Sequence, residues 1–137
     1  MSGVNLEINN LTSDRIDKRF LSKIAGKVVK LLKIKIPEIS LVFVPDSRMK
    51  SLNRKYRGRN RVTDVLAFDY GEIIICLPQA KRQAKQLRHS LKDELTILLI
   101  HGTLHLAGYD DEIKKDYNKM VKAQDKILLK LKIKNKK

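Results

Sequence analysis

Two histidines four residues apart, His101 and His105, followed by Gly108 and then Asp111, are the residues of this chain best spaced for metal chemistry. Leu91 to Ile100 reads as a helix, so both imidazoles project from one face, about 6 Å apart along the axis, and can reach one ion. Gly108 tolerates a left-handed backbone and terminates that helix, and the turn it makes can bring Asp111 back toward the pair. Three protein ligands with a fourth position left to water form a catalytic zinc arrangement, whereas a structural zinc closes its shell with four ligands, mostly cysteines. The chain has one cysteine. The same residues also suit a plain helix end, where imidazoles complement the partial negative charge of the C-terminus. The added spacing of Gly108 and Asp111 favours metal.

This spacing follows the zinc-peptidase pattern His-Glu-x-x-His-x-x-Gly-x-x-His with two departures. Gly102 stands where the glutamate base belongs, and Asp111 where the last histidine belongs. A peptidase without its base is disfavoured.

The elements that must position these residues are legible from period and punctuation. Val4 to Asn9 alternates as a half-buried strand. Ser13 or Asp14 can cap a helix with the apolar stripe Ile16, Phe20, Ile24, Val28 and Leu31. Ile39 to Val44 is a β-branched strand closed by Pro45, after which Asp46 or Ser47 can cap a helix from about Met49 to Tyr56. Val62 to Phe68 and Glu72 to Leu77 form a hairpin whose second, continuously apolar strand belongs inside the sheet. Pro78 opens a helix to about Leu87, Ser90 caps the helix carrying His101 and His105, and Asp110 or Asp111 caps a final helix with Tyr117, Met120, Val121, Ile127 and Leu128. The expected fold is α+β: a small mixed sheet of about four strands with about five helices and the metal site at the end of a central helix. One domain spanning 1–137 is expected, with a lysine-rich, solvated C-terminal tail over about 130–137.

Thirty Lys and Arg against fifteen acids leave a formal charge of +15. That excess suits a polyanionic partner, RNA first, although a generally lysine-rich proteome produces a similar balance. Its distribution points to a binding face: Arg48, Lys50, Arg54, Lys55, Arg57, Arg59 and Arg61 follow one another with no intervening acid. Cys76, inside the run Ile73 to Leu77, reads as a small buried hydrophobe. No cationic-then-apolar leader and no apolar stretch near the ~20 residues of a membrane span is present, so a cytoplasmic protein without membrane association is expected.

With these segments in place, the chain resembles the YbeY family of bacterial endoribonucleases, the rRNA maturation factors. The family signature His-Gly-x-Leu-His-Leu-x-Gly-Tyr-Asp-His corresponds to His101 through Asp111 with only the final ligand changed. A second motif corresponds to Leu52, Asn53, Arg54, Lys55, Tyr56 and Arg57, followed by Thr63, Asp64, Val65, Leu66, Ala67 and Phe68. The resemblance implies a zinc-dependent, single-strand-specific endoribonuclease acting in 16S rRNA 3′-end maturation and ribosome quality control, with the small ribosomal subunit as partner. It implies one Zn2+ held by His101, His105 and Asp111, other divalent transition metals being possible, and Arg57 as the functionally important arginine. Asp111 would give an oxygen ligand for the family's nitrogen, and Ala67 and Asp69 replace the expected serine and proline around Phe68.

Several residues keep two readings. Arg57 suits a fork on the scissile phosphate or one more solvated cation. Tyr56 and Tyr109 could stack unpaired bases, and Tyr109 could equally pack beneath the turn. Asp64 could orient a histidine or Arg57, or cap a turn. Asp110 and Glu112 are candidates for proton transfer, and His89 reads as a surface residue. The alternative of another class is a non-catalytic RNA-binding ribosome assembly factor in which the metal only pins the helix end. A fourth protein ligand, such as His89 or Glu112, would favour it.

Overall fold

The computed structural model describes residues 5–36, 38–109 and 114–133. The chain runs β1 (Asn5–Asn10), α1 (Lys18–Leu32), β2 (Glu38–Val44), α2 (Asp46–Arg57), β3 (Val65–Phe68), β4 (Glu72–Cys76), α3 (Leu77–Leu87), α4 (Leu91–Leu106) and α5 (Lys114–Lys130). The four strands form one mixed sheet in the order β1-β2-β4-β3. β1 and β4 pair parallel to β2, while β3 pairs antiparallel to β4 with Val65 opposite Ile75 and Phe68 opposite Glu72. The α+β reading, the hairpin and the interior place of β4 all hold. β4 is apolar on both faces because both are covered, and β3 is left at the edge.

One face of the sheet offers Ile39, Leu41, Phe43, Val65, Ile73 and Ile75 to a core shared with α1, α4 and α5. The other face buries Val44, Leu66, Ile74 and Cys76 under Met49 of α2. α4 packs against α1, α3, α5, β3 and β4, so nearly every residue from Glu94 to Leu106 except the two histidines is buried. It is the central helix expected.

Helix starts diverge in detail from the sequence reading. α1 is capped by Asp17, whose carboxylate accepts from the Phe20 amide at 3.0 Å, rather than by Ser13 or Asp14. Its buried stripe is Leu21, Ile24, Ala25, Val28 and Val29, and Leu31 is exposed. α2 begins at Asp46 with Pro45 as its cap residue and no side-chain cap bond. Ser90 does cap α4, accepting from the Asp93 amide at 3.1 Å. At the far end of α5 the chain stays packed through Ile133, whose amide bonds the Leu128 carbonyl at 3.0 Å, so residues 130–133 are not the solvated stretch expected; the rest of the expected tail, 134–137, lies outside the described residues.

Gly102 fixes the seat of α4. A Cβ at this position would lie 2.7 Å from Ile73 Cγ2, so helix and strand approach closer than any side chain permits. Both partners are buried, and Ile73 has no open space to yield into. Gly102→Ala is therefore expected to destabilise the fold by about 1–3 kcal/mol through overpacking. A thermal melt checks this, and an unchanged midpoint would show that the contact relaxes freely.

Candidate functional site

Residues 101 and 105 lie one turn apart on α4 and share the side that opens to a cavity, while Gly102 holds the neighbouring face against Ile73 of the sheet. Their Nε2 atoms converge to 3.2 Å, with ring centroids 4.8 Å apart and planes inclined by 68°. Two nitrogens bound tetrahedrally at Zn–N distances of about 2.0–2.1 Å stand ~3.3 Å apart, so the pair spans one edge of such a shell. The same separation allows one imidazole N–H to donate to the other ring when no ion intervenes. This donor pair fits a divalent transition metal without rearrangement.

The helix ends as the sequence requires. Gly108 adopts φ +98°, its amide bonds the His105 carbonyl at 3.0 Å, and the Tyr109 amide returns to Leu104 at 3.0 Å. Tyr109 is partly buried against the core, the packing alternative weighed for it. Asp110, Asp111 and Glu112 lie outside the described residues, so the third ligand and both proton-transfer candidates have no structural account here. Among the described residues no group of three or more His, Cys, Asp or Glu side chains gathers as a metal site.

The imidazoles open into a cavity of about 520 Å³. One wall is the edge strand β3 with Thr63 and Asp64 before it, another is α4, and α5 contributes Tyr117, Met120, Val121 and Gln124. Arg57 and Tyr56, at the end of α2, close the rim. Thus His101, His105 and Arg57, separated by more than forty positions in the chain, face one space. The seven cations from Arg48 to Arg61 are all exposed, and among the described residues none takes part in an ion pair. Asn53 ties this basic segment down, donating its amide to the Arg61 carbonyl at 2.9 Å from a buried position.

Behind β3 lies a polar group that the sequence reading missed. His89 is not a surface residue: its side chain is 3% exposed and its Nε2 lies 2.7 Å from Glu94, whose side chain is 0% exposed. Gln83 donates to the second Glu94 oxygen at 2.7 Å and to Asp64 at 3.3 Å. Asp64 also accepts from the Val65 amide at 2.8 Å, so it is held as a turn cap and by Gln83 rather than by a histidine or Arg57. His89, engaged with Glu94, lines no part of the cavity and supplies no fourth ligand. Glu94→Ala would leave the buried His89 without this partner and remove one of the two acceptors of Gln83, at a cost of about 3–5 kcal/mol. The expected readout is a melting temperature lower by roughly 10 °C or more. A fall of only a degree or two would mean the pair is not structural.

Cys76 is fully buried, its thiol donates to Asp46 at 3.2 Å, and burial pushes its pKa up to about 12. It is the inert apolar residue expected rather than a nucleophile.

A four-stranded mixed sheet whose central helix delivers convergent imidazoles to a cavity that Arg57 also lines defines a small α+β protein with one shared pocket for the candidate residues. A family model described as Endoribonuclease YbeY matches residues 7–132. The chain belongs to this family. It is 38% identical to the Endoribonuclease YbeY of Sulfurihydrogenibium sp., covering 87% of this chain and 86% of that protein. It is 42% identical to that of Thermodesulfovibrio yellowstonii, covering 82% and 80% respectively. A solution structure from Thermotoga maritima superposes with a TM-score of 0.61 at 28% identity, covering 93% of this chain and 91% of the other. No described helix is long and apolar enough to cross a membrane.

Proposed function

We propose that the chain is a metal-dependent endoribonuclease that cuts single-stranded RNA, acting in the cytoplasm in 16S rRNA 3′-end maturation and ribosome quality control with the small ribosomal subunit as partner. The observation that carries the chemistry is the tetrahedral-edge spacing of His101 and His105 Nε2 at 3.2 Å, inside a cavity that Arg57 also lines. Family membership and the relatives' name support the substrate class.

In this reading His101, His105 and Asp111 hold one Zn2+, or a related divalent transition metal. Bound there, the ion supplies Lewis acidity toward a phosphoryl oxygen and a lowered pKa for water. The chain's own residues do the rest. Arg57 presents its planar fork to the scissile phosphate from the rim and meets the charge that grows on the equatorial oxygens. The basic segment from Arg48 to Arg61 gathers the strand by neutralising neighbouring phosphates. Asp64, fixed by Val65 and Gln83, sets the polar end of the β3 wall.

Purified protein assayed for bound metal and for cleavage of unstructured RNA, before and after chelation, tests the proposal. Cleavage that disappears on chelation and returns with zinc supports it. RNA binding with no cleavage under any metal would instead favour the assembly-factor role.

A further inference from the structure

Three aromatic rings stand in contact along the edge of the sheet where the cavity opens. Tyr56 of α2 meets Phe68, the last residue of β3, edge to face at 5.0 Å between centroids. Phe68 then lies nearly parallel to Tyr70, in the turn before β4, at 5.7 Å and 22°. Tyr56 and Phe68 line the cavity, and Tyr70 continues the row outward. Tyr56 is 54% exposed and Tyr70 70%, so their apolar surface is left in water. Each ring is nevertheless held. Phe68 packs into the core beneath α2, and the Tyr70 hydroxyl donates to Glu72 at 2.7 Å. Lys55 Nζ sits 5.2 Å from the Tyr56 centroid.

We propose that Tyr56, Phe68 and Tyr70 form a stacking track for successive unpaired bases of an RNA strand whose phosphate backbone follows the cations into the cavity at Arg57. The proposal rests on the endoribonuclease reading above for the placement of that phosphate. Exposed rings alone would suit any apolar partner. Tyr56 lies within the exposed basic segment, with Lys55 over its ring and no acid from Arg48 to Arg61, while Asp69 and Glu72 flank Tyr70 at the far end; the Tyr56 end therefore favours a polyanion that also offers flat apolar faces. Unpaired nucleotides have both, whereas a duplex hides its base faces and an acidic peptide lacks the planar groups. Rings already immobilised lose little entropy when a base settles on them.

The test is fluorescence anisotropy on the full chain as purified, with a short unstructured RNA checked intact on a gel. An abasic strand of equal length, the matching duplex and a polyglutamate peptide serve as controls. Tyr70→Ala should weaken the unstructured RNA by about 5- to 100-fold, the loss of one stacked base. Its affinity for the abasic strand and the salt dependence of binding should not change, because the phosphate contacts remain. Tyr70→Phe, which keeps the ring face but drops the hydroxyl bond that holds it, should retain most of the affinity that Tyr70→Ala loses. Equal losses on RNA and abasic strand, no loss on RNA, or stronger binding of the peptide or duplex than of the strand would each overturn the track. Binding is read apart from cutting: a protein that never cleaves but loses RNA affinity in Tyr70→Ala refutes the nuclease reading alone. Unimpaired RNA binding by Tyr70→Ala in a protein that cleaves refutes the track alone.

Discussion

His101→Ala is expected to abolish RNA cleavage and to release the metal, while the protein stays folded. The imidazole pair is the only part of the proposed ligand set that the described residues hold in place, and neither ring can span the shell alone. Structural zinc sites with four ligands gain about 10–16 kcal/mol on binding, so one ligand accounts for roughly 3–4 kcal/mol, or on the order of 10²–10³ in affinity. A site with only three protein ligands has no reserve against that loss. The fold does have one: α4 is buried by contacts with five other elements, and His101 lies on the side that faces the cavity rather than the core. Metal content by elemental analysis, cleavage rate and a thermal melt should therefore part company, with the first two collapsing and the third moving by a few degrees. Full cleavage by His101→Ala would sink zinc chemistry at this site. Asp111→Ala should behave like His101→Ala, and Asp111→His should retain the ion.

Arg57→Ala is expected to lower the cleavage rate by about 10²–10³ with bound metal unchanged, the cost of removing one preorganised donor from a transition state that gains charge. Arg57 closes the rim at the last residue of α2 and donates no hydrogen bond that holds the fold among the described residues, so its removal should leave the melting temperature alone. Arg57→Lys separates the two readings of this residue. A lysine keeps the charge but not the bidentate fork, and should recover only a small part of the rate. If lysine restored the rate in full, Arg57 would be a general cation of the basic face. Comparing kcat with KM sharpens the point, since a phosphate-gathering role moves KM and a transition-state role moves kcat.

The parts legible in the sequence were those fixed by local pattern. The period-2 and continuous apolar runs gave β1 and β4, the Ser90 cap gave the start of α4, and Gly108 gave its end, each because a single residue type satisfies a single backbone need. The spacing of His101 and His105 gave their shared face for the same reason. What stayed hidden depended on distant partners. The start of α1 went to Asp17 because its carboxylate reaches the Phe20 amide, and the stripe rotated to take in Ala25 and Val29, which meet the core while Leu31 does not. His89 looked exposed because its loop is short and polar, yet its partner Glu94 lies in the first turn of α4 and Gln83 in α3. A pairing across two elements leaves no periodic trace. The ring contacts of Phe68 and Tyr70 were likewise invisible until the hairpin folded back.

The contact between Gly102 and Ile73 bears on how this scaffold could be altered. A carboxylate introduced at position 102 would be driven into the sheet, so the helix that presents the imidazoles cannot also lend the site a proton acceptor from that position. Redesign toward other hydrolytic chemistry would have to begin elsewhere on the wall, for instance at Val121 or Gln124 of α5, whose side chains line the same cavity as the two rings.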